Sequence, residues 1–131
     1  MRHRQVHAPG QPASGLPYSP AVIAGNFVFV SGHVGWDPTT QETAPTIEAQ
    51  TEQCLENLKG ILSAAGTSFR HVVKATVFLR NIEDFDAMNK VYRRHFSENP
   101  PARSTVGVAL ARPDLLIEIE IVALLPDENA Q

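Results

Sequence analysis

The sequence predicts an α+β or α/β protein in which two helices cover one face of a β-sheet. Two observations support this class. Residues 47–65 and 82–96 carry apolar side chains at the helical period. Short runs rich in β-branched residues surround them, which is typical of strands. The predicted order is β-β-α-β-α-β-β, without an internal repeat of roughly 20 to 50 residues.

The composition indicates a globular protein of one domain, residues 1–131. Hydrophobic residues make up 43% and charged residues 19% of the chain, which argues against disorder. A net charge of -3 argues against a nucleic-acid module, which needs a clustered basic excess to bind phosphates. No apolar run reaches the roughly 20 residues of a membrane span, and residues 1–10 lack a signal-peptide core. We therefore expect a cytoplasmic protein.

The first strands are predicted to form a hairpin. Apolar runs at residues 21–24 and 27–32 flank Gly25-Asn26, a pair that is typical of a tight β-turn. Residues 4–7 fit an edge strand, although their alternation is weak. The segment 36–46 is rich in Thr and Pro and is expected to be a loop.

Residues 47–65 form the clearest predicted helix. Thr46 is placed to cap its N-terminus, and Gly66 is placed to end it in a left-handed conformation. The stripe expected to be buried consists of Ile47, Thr51, Cys54, Leu55, Leu58, Ile61, Leu62 and Ala65. Cys54 is therefore expected to be a core residue rather than a nucleophile.

Residues 71–79 predict a strand that is apolar on most of both faces. Asn81 is predicted to cap a second helix over residues 82–96, which the prolines at 100 and 101 bring to an end. Its expected buried stripe consists of Phe85, Met88, Tyr92 and Phe96. Two final strands are predicted at residues 102–110 and 116–125.

The last strand carries two different faces, because side chains alternate along a strand. The face expected to lie under the helices consists of Ile117, Ile119, Ile121, Ala123 and Leu125. The other consists of Glu118, Glu120, Val122 and Leu124. A fully solvated face does not normally change from glutamate to Val and Leu, so we infer that another subunit covers part of it. The alternative is a half-exposed strand with two solvated glutamates. If another subunit covers this face, the pKa values of Glu118 and Glu120 would rise unless a cation pairs with their carboxylates.

Arg103 is the cation candidate for these carboxylates or for a ligand. It follows the two restraining prolines, and its guanidinium matches a planar carboxylate or phosphate. An ordinary surface arginine is the alternative.

Several motifs, taken in order along the chain, resemble those of the RidA/YjgF family of imine deaminases, which is also labelled endoribonuclease L-PSP. They are Gly15-Leu16-Pro17-Tyr18-Ser19-Pro20, Val28-Phe29-Val30-Ser31-Gly32, Lys74-Ala75-Thr76-Val77-Phe78-Leu79, Asp84-Phe85-Asp86-Ala87-Met88-Asn89, Pro101-Ala102-Arg103-Ser104 and Ile117-Glu118-Ile119-Glu120. They follow the family order from residue 15 to residue 124.

The resemblance implies an α+β, chorismate-mutase-like (YjgF-like) fold with a single mixed sheet, assembled as a homotrimer with sites in the clefts between subunits. It also implies hydrolysis of reactive 2-imino acids, such as 2-iminopropanoate and 2-iminobutanoate, to 2-keto acids and ammonia, without a metal or organic cofactor. By motif, Arg103 would hold the substrate carboxylate with the backbone N–H of Gly32, and Glu118 would position the hydrolytic water. The other positions matched to the cleft are Tyr18, Ser31, Asn89 and Thr105.

This sequence departs from the well-known members in three places. Thr105 stands where many have cysteine, His33 stands where many have glutamine, and the connection before Arg103 is a few residues shorter. These departures leave the arginine and the glutamate in place but bear on substrate size and rate.

Other functions remain open at this point. A non-catalytic trimer that binds small carboxylates is the alternative to an enzyme, and an endoribonuclease or translation inhibitor is a third option. The five histidines show no ligand spacing, so no metal site is expected. The cluster at residues 93–95 is expected to be a solvated helix face.

Overall fold

The computed structural model describes residues 3–8 and 15–127. The ends of the predicted 1–131 domain and residues 9–14 lie outside this part. The α-helices and strands, in chain order, are β1 (Arg4–Val6), β2 (Ala21–Ala24), β3 (Phe27–Val34), β4 (Trp36–Asp37), β5 (Glu42–Thr43), α1 (Ile47–Ala65), β6 (Val72–Leu79), α2 (Phe85–His95), β7 (Ala102–Gly107) and β8 (Ile117–Leu124). Short 3-10 turns, Phe69–His71 and Ile82–Asp84, precede β6 and α2.

The main sheet has six strands in the order β1-β2-β3-β8-β6-β7. Only β6 and β7 pair in parallel among the described strands, so the sheet is mixed. The predicted α+β class, with two helices on one face of a mixed sheet, is confirmed. No helix in the described ranges is long and apolar enough to cross a bilayer.

The predicted loop over residues 36–46 contains a second, two-stranded sheet, so the expectation of a single sheet was wrong in this detail. Trp36 pairs with Thr43, and Asp37 pairs with Glu42. Gln41 closes the turn with a positive φ of 60°. Strands of two residues are too short to show an alternating pattern, so they could not be predicted from the sequence.

Helix α1 follows its prediction closely. The Ala49 N–H donates to Thr46 Oγ1 at 3.2 Å, and Gly66 has the left-handed φ of 90° that ends the helix. The whole predicted stripe is buried, including Cys54 at 0% exposure. The Cys54 thiol donates to the backbone oxygen of His33 at 3.1 Å, and burial raises its pKa. It is a core residue, as predicted.

The second helix starts later than predicted. Residues 82–84 form a 3-10 turn, the α-helix begins at Phe85, and the Asn81 side chain makes no capping bond. Met88 and Tyr92 are buried as expected, whereas Phe85 is 38% exposed. In β8 the predicted alternation is confirmed, since the residues at 117, 119, 121 and 123 are at most 2% exposed.

Strand β7 ends at Gly107, three residues earlier than predicted, because the chain then leaves the sheet in a long connection to β8. Arg80 holds this connection. Its guanidinium donates to the backbone oxygens of Arg112 at 2.6 Å, Leu115 at 2.7 Å and Leu110 at 3.4 Å. These charge-assisted hydrogen bonds satisfy backbone oxygens that have no neighbouring strand to pair with in this connection.

Gln50, a polar residue inside the α1 stripe, anchors the same connection. Its amide nitrogen donates to Ala44 O at 2.8 Å and to Asp114 O at 2.9 Å, and its amide oxygen accepts from the Leu116 N–H at 2.8 Å. Gln50 is only 1% exposed, so water cannot replace these bonds.

Gln50→Leu is expected to destabilise the fold by about 3 kcal/mol, because three backbone groups lose their partner inside the protein. The melting temperature should fall by roughly 10 °C, measured by calorimetry. Gln53→Leu is the matched control on the same helix, since the Gln53 side chain donates to Asn57 Oδ1, one turn away, and anchors no backbone group within the described ranges. Equal losses in both variants would contradict the anchoring role of Gln50.

Candidate functional site

The predicted site residues fall into two groups, one around Arg103 and one around Glu118, and these two residues lie on opposite faces of the main sheet. We call the two groups the arginine group (Asn89, Arg103 and Thr105) and the glutamate group (Tyr18, Ser31, Gly32 and Glu118). Arg103 is paired with Ala75, which is fully buried under the helices. Glu118 is paired with Phe78, whose side chain points to the opposite, outer face. A single chain therefore does not bring Arg103 and Glu118 to one face.

The Arg103 guanidinium lies against the apolar side of α2. Its carbon is 4.7 Å from the centre of the Tyr92 ring and 5.6 Å from that of Phe85, and Nη1 is 3.9 Å from Met88 Sδ. Such cation–π contacts fix the plane of the guanidinium while leaving its N–H groups available. No carboxylate among residues 3–8 and 15–127 pairs with it. An unpaired, half-buried guanidinium of this kind is suited to bind an anion.

Two buried hydroxyl groups on this side of the sheet have no hydrogen-bond partner among the described residues: Thr105 Oγ1 and the phenol of Tyr92. Burial raises the pKa of Tyr92, and the positive charge of Arg103 opposes that rise. Thr105 shares its strand face with Arg103, two residues away. Asn89 follows Met88 on α2 and is partly buried. Buried polar atoms of this kind usually have hydrogen-bond partners, so these two hydroxyl groups mark the surface beside Arg103 as a candidate contact surface.

The Glu118 carboxylate lies directly against Gly32. A Cβ atom at position 32 would lie 2.8 Å from Glu118 Cδ, so this approach requires glycine. Burial, and secondly the negative charge of Glu120, raise the pKa of Glu118. No described residue donates a hydrogen bond to this carboxylate or forms an ion pair with it, so its oxygens are available to a water molecule or a ligand.

Ser31 and Gly32 lie where β3 loses its regular pairing with β8, between Val30 and His33. Such a bulge changes the direction of the side chains that follow it. The Ser31 hydroxyl donates to Ser19 O at 2.6 Å, so its proton is used to hold the preceding segment. Ser31 in this chain thus secures the strand geometry on which Gly32 depends.

His33, one of the departures from the family pattern, lies on the helix side of the sheet, because it pairs with Ile119. Its Nε2 donates to Pro20 O at 3.3 Å, and burial lowers its pKa. The Ser31 N–H donates to the same oxygen at 3.0 Å. These two bonds fix the segment that carries Tyr18. The Tyr18 side chain is 59% exposed and borders the same groove as Gly32.

Three side chains of α2 contact the Arg103 guanidinium, and the sequence analysis predicted only that they would be buried. Phe85, Met88 and Tyr92 belong to the predicted apolar stripe of the second helix, and that signal indicates burial without naming the contact. Helical periodicity shows which face a side chain takes, whereas the partner across a sheet edge depends on tertiary packing.

The fold and the site define a class of α+β domains in which an arginine and a glutamate lie on opposite faces of one mixed sheet. Residues 9–125 match the family model described as Endoribonuclease L-PSP. A RutC family protein of Pyrococcus horikoshii is 49% identical over 108 residues, which are 82% of this chain and 86% of that protein.

Two solved structures are similar over almost the whole chain. RidA from a Psychrobacter species superposes with a TM-score of 0.85 at 39% identity, covering 93% of this chain and 99% of that one. E. coli TdcF with bound serine superposes with a TM-score of 0.86 at 34% identity, covering 94% and 99%. The chain belongs to the endoribonuclease L-PSP family, the family of RidA and YjgF, as its motifs predicted.

Proposed function

We propose that this protein is an imine deaminase that hydrolyses small 2-imino acids to 2-keto acids and ammonia. Its site would combine the arginine group of one chain with the glutamate group of the next chain in a homotrimer. The observation that carries this proposal is the separation of Arg103 and Glu118 on opposite faces, each without an ion-pair partner in residues 3–8 and 15–127. Each chain thus holds two complementary half-sites.

The outer face of the sheet supports assembly. Phe27 and Phe29 are 42% and 44% exposed, their ring centres are 6.0 Å apart, and Leu124 is paired with Phe27. Exposed aromatic and aliphatic side chains in contact with one another are typical of subunit interfaces. Copies that associate head to tail with a rotation of about 120° between neighbours would close into a three-membered ring, in which every chain contributes both half-sites.

The proposed chemistry begins with the substrate carboxylate on Arg103. Two parallel hydrogen bonds from the guanidinium would fix the imino acid, with help from the Gly32 N–H. This orientation brings the imine carbon close to the carboxylate of Glu118, and much of the rate gain comes from that positioning.

Glu118 then orients a water molecule and accepts its proton as the oxygen attacks the imine carbon. The substrate enters as the iminium, already protonated on nitrogen, so the C–O bond forms while the π electrons of C=N move to nitrogen and give a neutral amine. In the resulting carbinolamine, Glu118 returns its proton to this nitrogen. The C–N bond then breaks as the hydroxyl group becomes the keto carbonyl, the hydroxyl proton passes to Glu118, and ammonia and a 2-keto acid are released. A raised pKa suits this role, because the carboxyl group must both accept and return a proton.

The relative with bound serine supports a small substrate. Serine carries a carboxylate next to a carbon bonded to nitrogen, which is the arrangement of a 2-imino acid apart from the double bond. The name of the family model makes an endoribonuclease the second candidate. A net charge of -3 and one unpaired arginine in the arginine group fit a single carboxylate better than an RNA backbone. The cytoplasmic location stays a prediction from the sequence.

The proposal is tested by generating 2-iminopropanoate and 2-iminobutanoate in situ with an amino-acid oxidase and following the decay of the imine and the release of ammonia. We expect decay faster than the spontaneous rate, in proportion to protein concentration and saturable in imine. Decay at the spontaneous rate with both imines, in a sample that still binds a 2-keto acid, would show that the protein only binds carboxylates.

A further inference from the structure

Three metal-ligating side chains outside the arginine and glutamate groups meet where α1 contacts the C-terminal end of α2. They are Glu52, Glu56 and His95, and one ligand atom from each lies within 4.8 Å of the others. Glu52 and Glu56 are one helical turn apart, so their side chains lie side by side on α1. The predicted solvated face at residues 93–95 was correct for Arg93 and Arg94 but wrong for His95, which points to α1.

We propose that Glu52, Glu56 and His95 bind one divalent transition-metal ion, with Zn²⁺ the best fit. One imidazole nitrogen and two carboxylates form a donor set that suits Zn²⁺, and the remaining positions would be filled by water. The ion would connect the end of α2 to the middle of α1. None of the three residues belongs to the arginine group or the glutamate group, but Glu56 also borders the groove of Tyr18 and Gly32. Metal binding is therefore tested directly rather than through the proposed deaminase activity.

The distances fit a metal centre after a small adjustment. Ligand atoms bound at about 2.1 Å to one ion are roughly 3.0 to 3.4 Å apart. His95 Nε2 and Glu52 Oε2 are already 2.9 Å apart, so this pair needs almost no movement. Glu56 is exposed, and a rotation about its side-chain bonds would bring its oxygen to the third position.

The charge and the packing of the cluster also favour a cation. Two carboxylates one turn apart repel each other, and no lysine or arginine in the described part of the chain forms an ion pair with either of them. The His95 side chain is only 14% exposed, and its ring packs edge-on against Phe69 at 5.8 Å. A ring held in this way presents Nε2 at a fixed position, which reduces the entropy lost on metal binding.

Sequence spacing did not predict this site. The five histidines show no ligand spacing, and the two glutamates are 39 or more residues from His95. Only the packing of α1 against α2 brings these residues together.

Zn²⁺ titration of the whole protein, followed by calorimetry and thermal unfolding, tests the site. We expect one ion per chain with a dissociation constant in the micromolar range, and a melting temperature raised by about 9 °C at a hundredfold excess over that constant. Co²⁺ should give an absorption spectrum that shows nitrogen and oxygen ligands. Mg²⁺ and Ca²⁺ should have at most a tenth of the effect, since they prefer sites made only of oxygen.

His95→Gln and Glu56→Gln should each weaken Zn²⁺ binding at least tenfold, whereas the matched controls His71→Gln and Glu48→Gln should not. Glu56 is exposed, so its variant keeps the test valid even if the histidine variant fails to fold. Binding that survives both cluster variants would overturn the proposal. Equal binding of Mg²⁺, or no Zn²⁺ binding below millimolar concentration, would overturn it as well.

Discussion

Replacing Glu118 with glutamine is expected to lower kcat for imine hydrolysis by about 10²-fold or more. Glutamine keeps the shape beside Gly32 but can neither accept a proton from water nor return it to the leaving nitrogen. The affinity for an inert 2-keto acid should change little, because Arg103 holds that end of the molecule. Steady-state kinetics of ammonia release, together with calorimetric titration of the keto acid, measure both quantities.

Glu120→Gln is the matched control, since Glu120 shares the strand face of Glu118, two residues away, and is more exposed. Its negative charge contributes to the raised pKa of Glu118. Removing that charge lowers the pKa of Glu118, so the carboxylate form persists to lower pH. The variant should therefore keep the plateau rate and extend its activity further into acid. A loss equal to that of Glu118→Gln would contradict the assignment of the water-positioning role to Glu118.

Arg103→Lys is expected to reduce kcat/KM by roughly 10- to 100-fold although the charge is kept. Each charge-assisted hydrogen bond lost from the guanidinium is worth about 1.5 to 3 kcal/mol. An ammonium also lacks the plane that stacks on Tyr92, so its direction is less defined. The same ammonia-release assay measures the loss, with KM rising more than kcat falls.

The control for this variant is Arg112→Lys. Arg112 is exposed and pairs with Asp114 at 3.2 Å in the connection between β7 and β8, outside both groups. The Arg112→Lys variant should therefore have the same kcat and KM as the parent protein. Near-parent activity in the Arg103 variant would show that Arg103 faces solvent or only supports the fold.

The parts of the fold that could be predicted are those with a strong local period. Helix α1 has the predicted ends because Thr46 and Gly66 are specific caps, and β8 shows the predicted faces because its alternation is continuous. The hairpin of β4 and β5 and the early end of β7 could not be predicted, since they depend on turn geometry and on bonds from Arg80.

The site could be predicted as a set of residues but not as an arrangement. Motifs identified Arg103 and Glu118. The change from glutamate to Val and Leu along one face of β8 also predicted the raised pKa of Glu118. The placement of Arg103 and Glu118 on opposite faces follows from strand register, because a shift of one residue would exchange the faces. The roles of Gln50 and His95 likewise depend on contacts between distant segments.

Mixing two inactive variants tests the central claim, that one site is shared between two chains, most directly. Arg103→Ala lacks the arginine group's cation, and Glu118→Gln lacks the carboxylate. When equal amounts are refolded together, about one quarter of the interfaces should combine an intact arginine group with an intact glutamate group. We expect the mixture to recover roughly that fraction of the parent's imine hydrolysis. A refolded mixture no more active than the two variants measured separately would contradict a shared site.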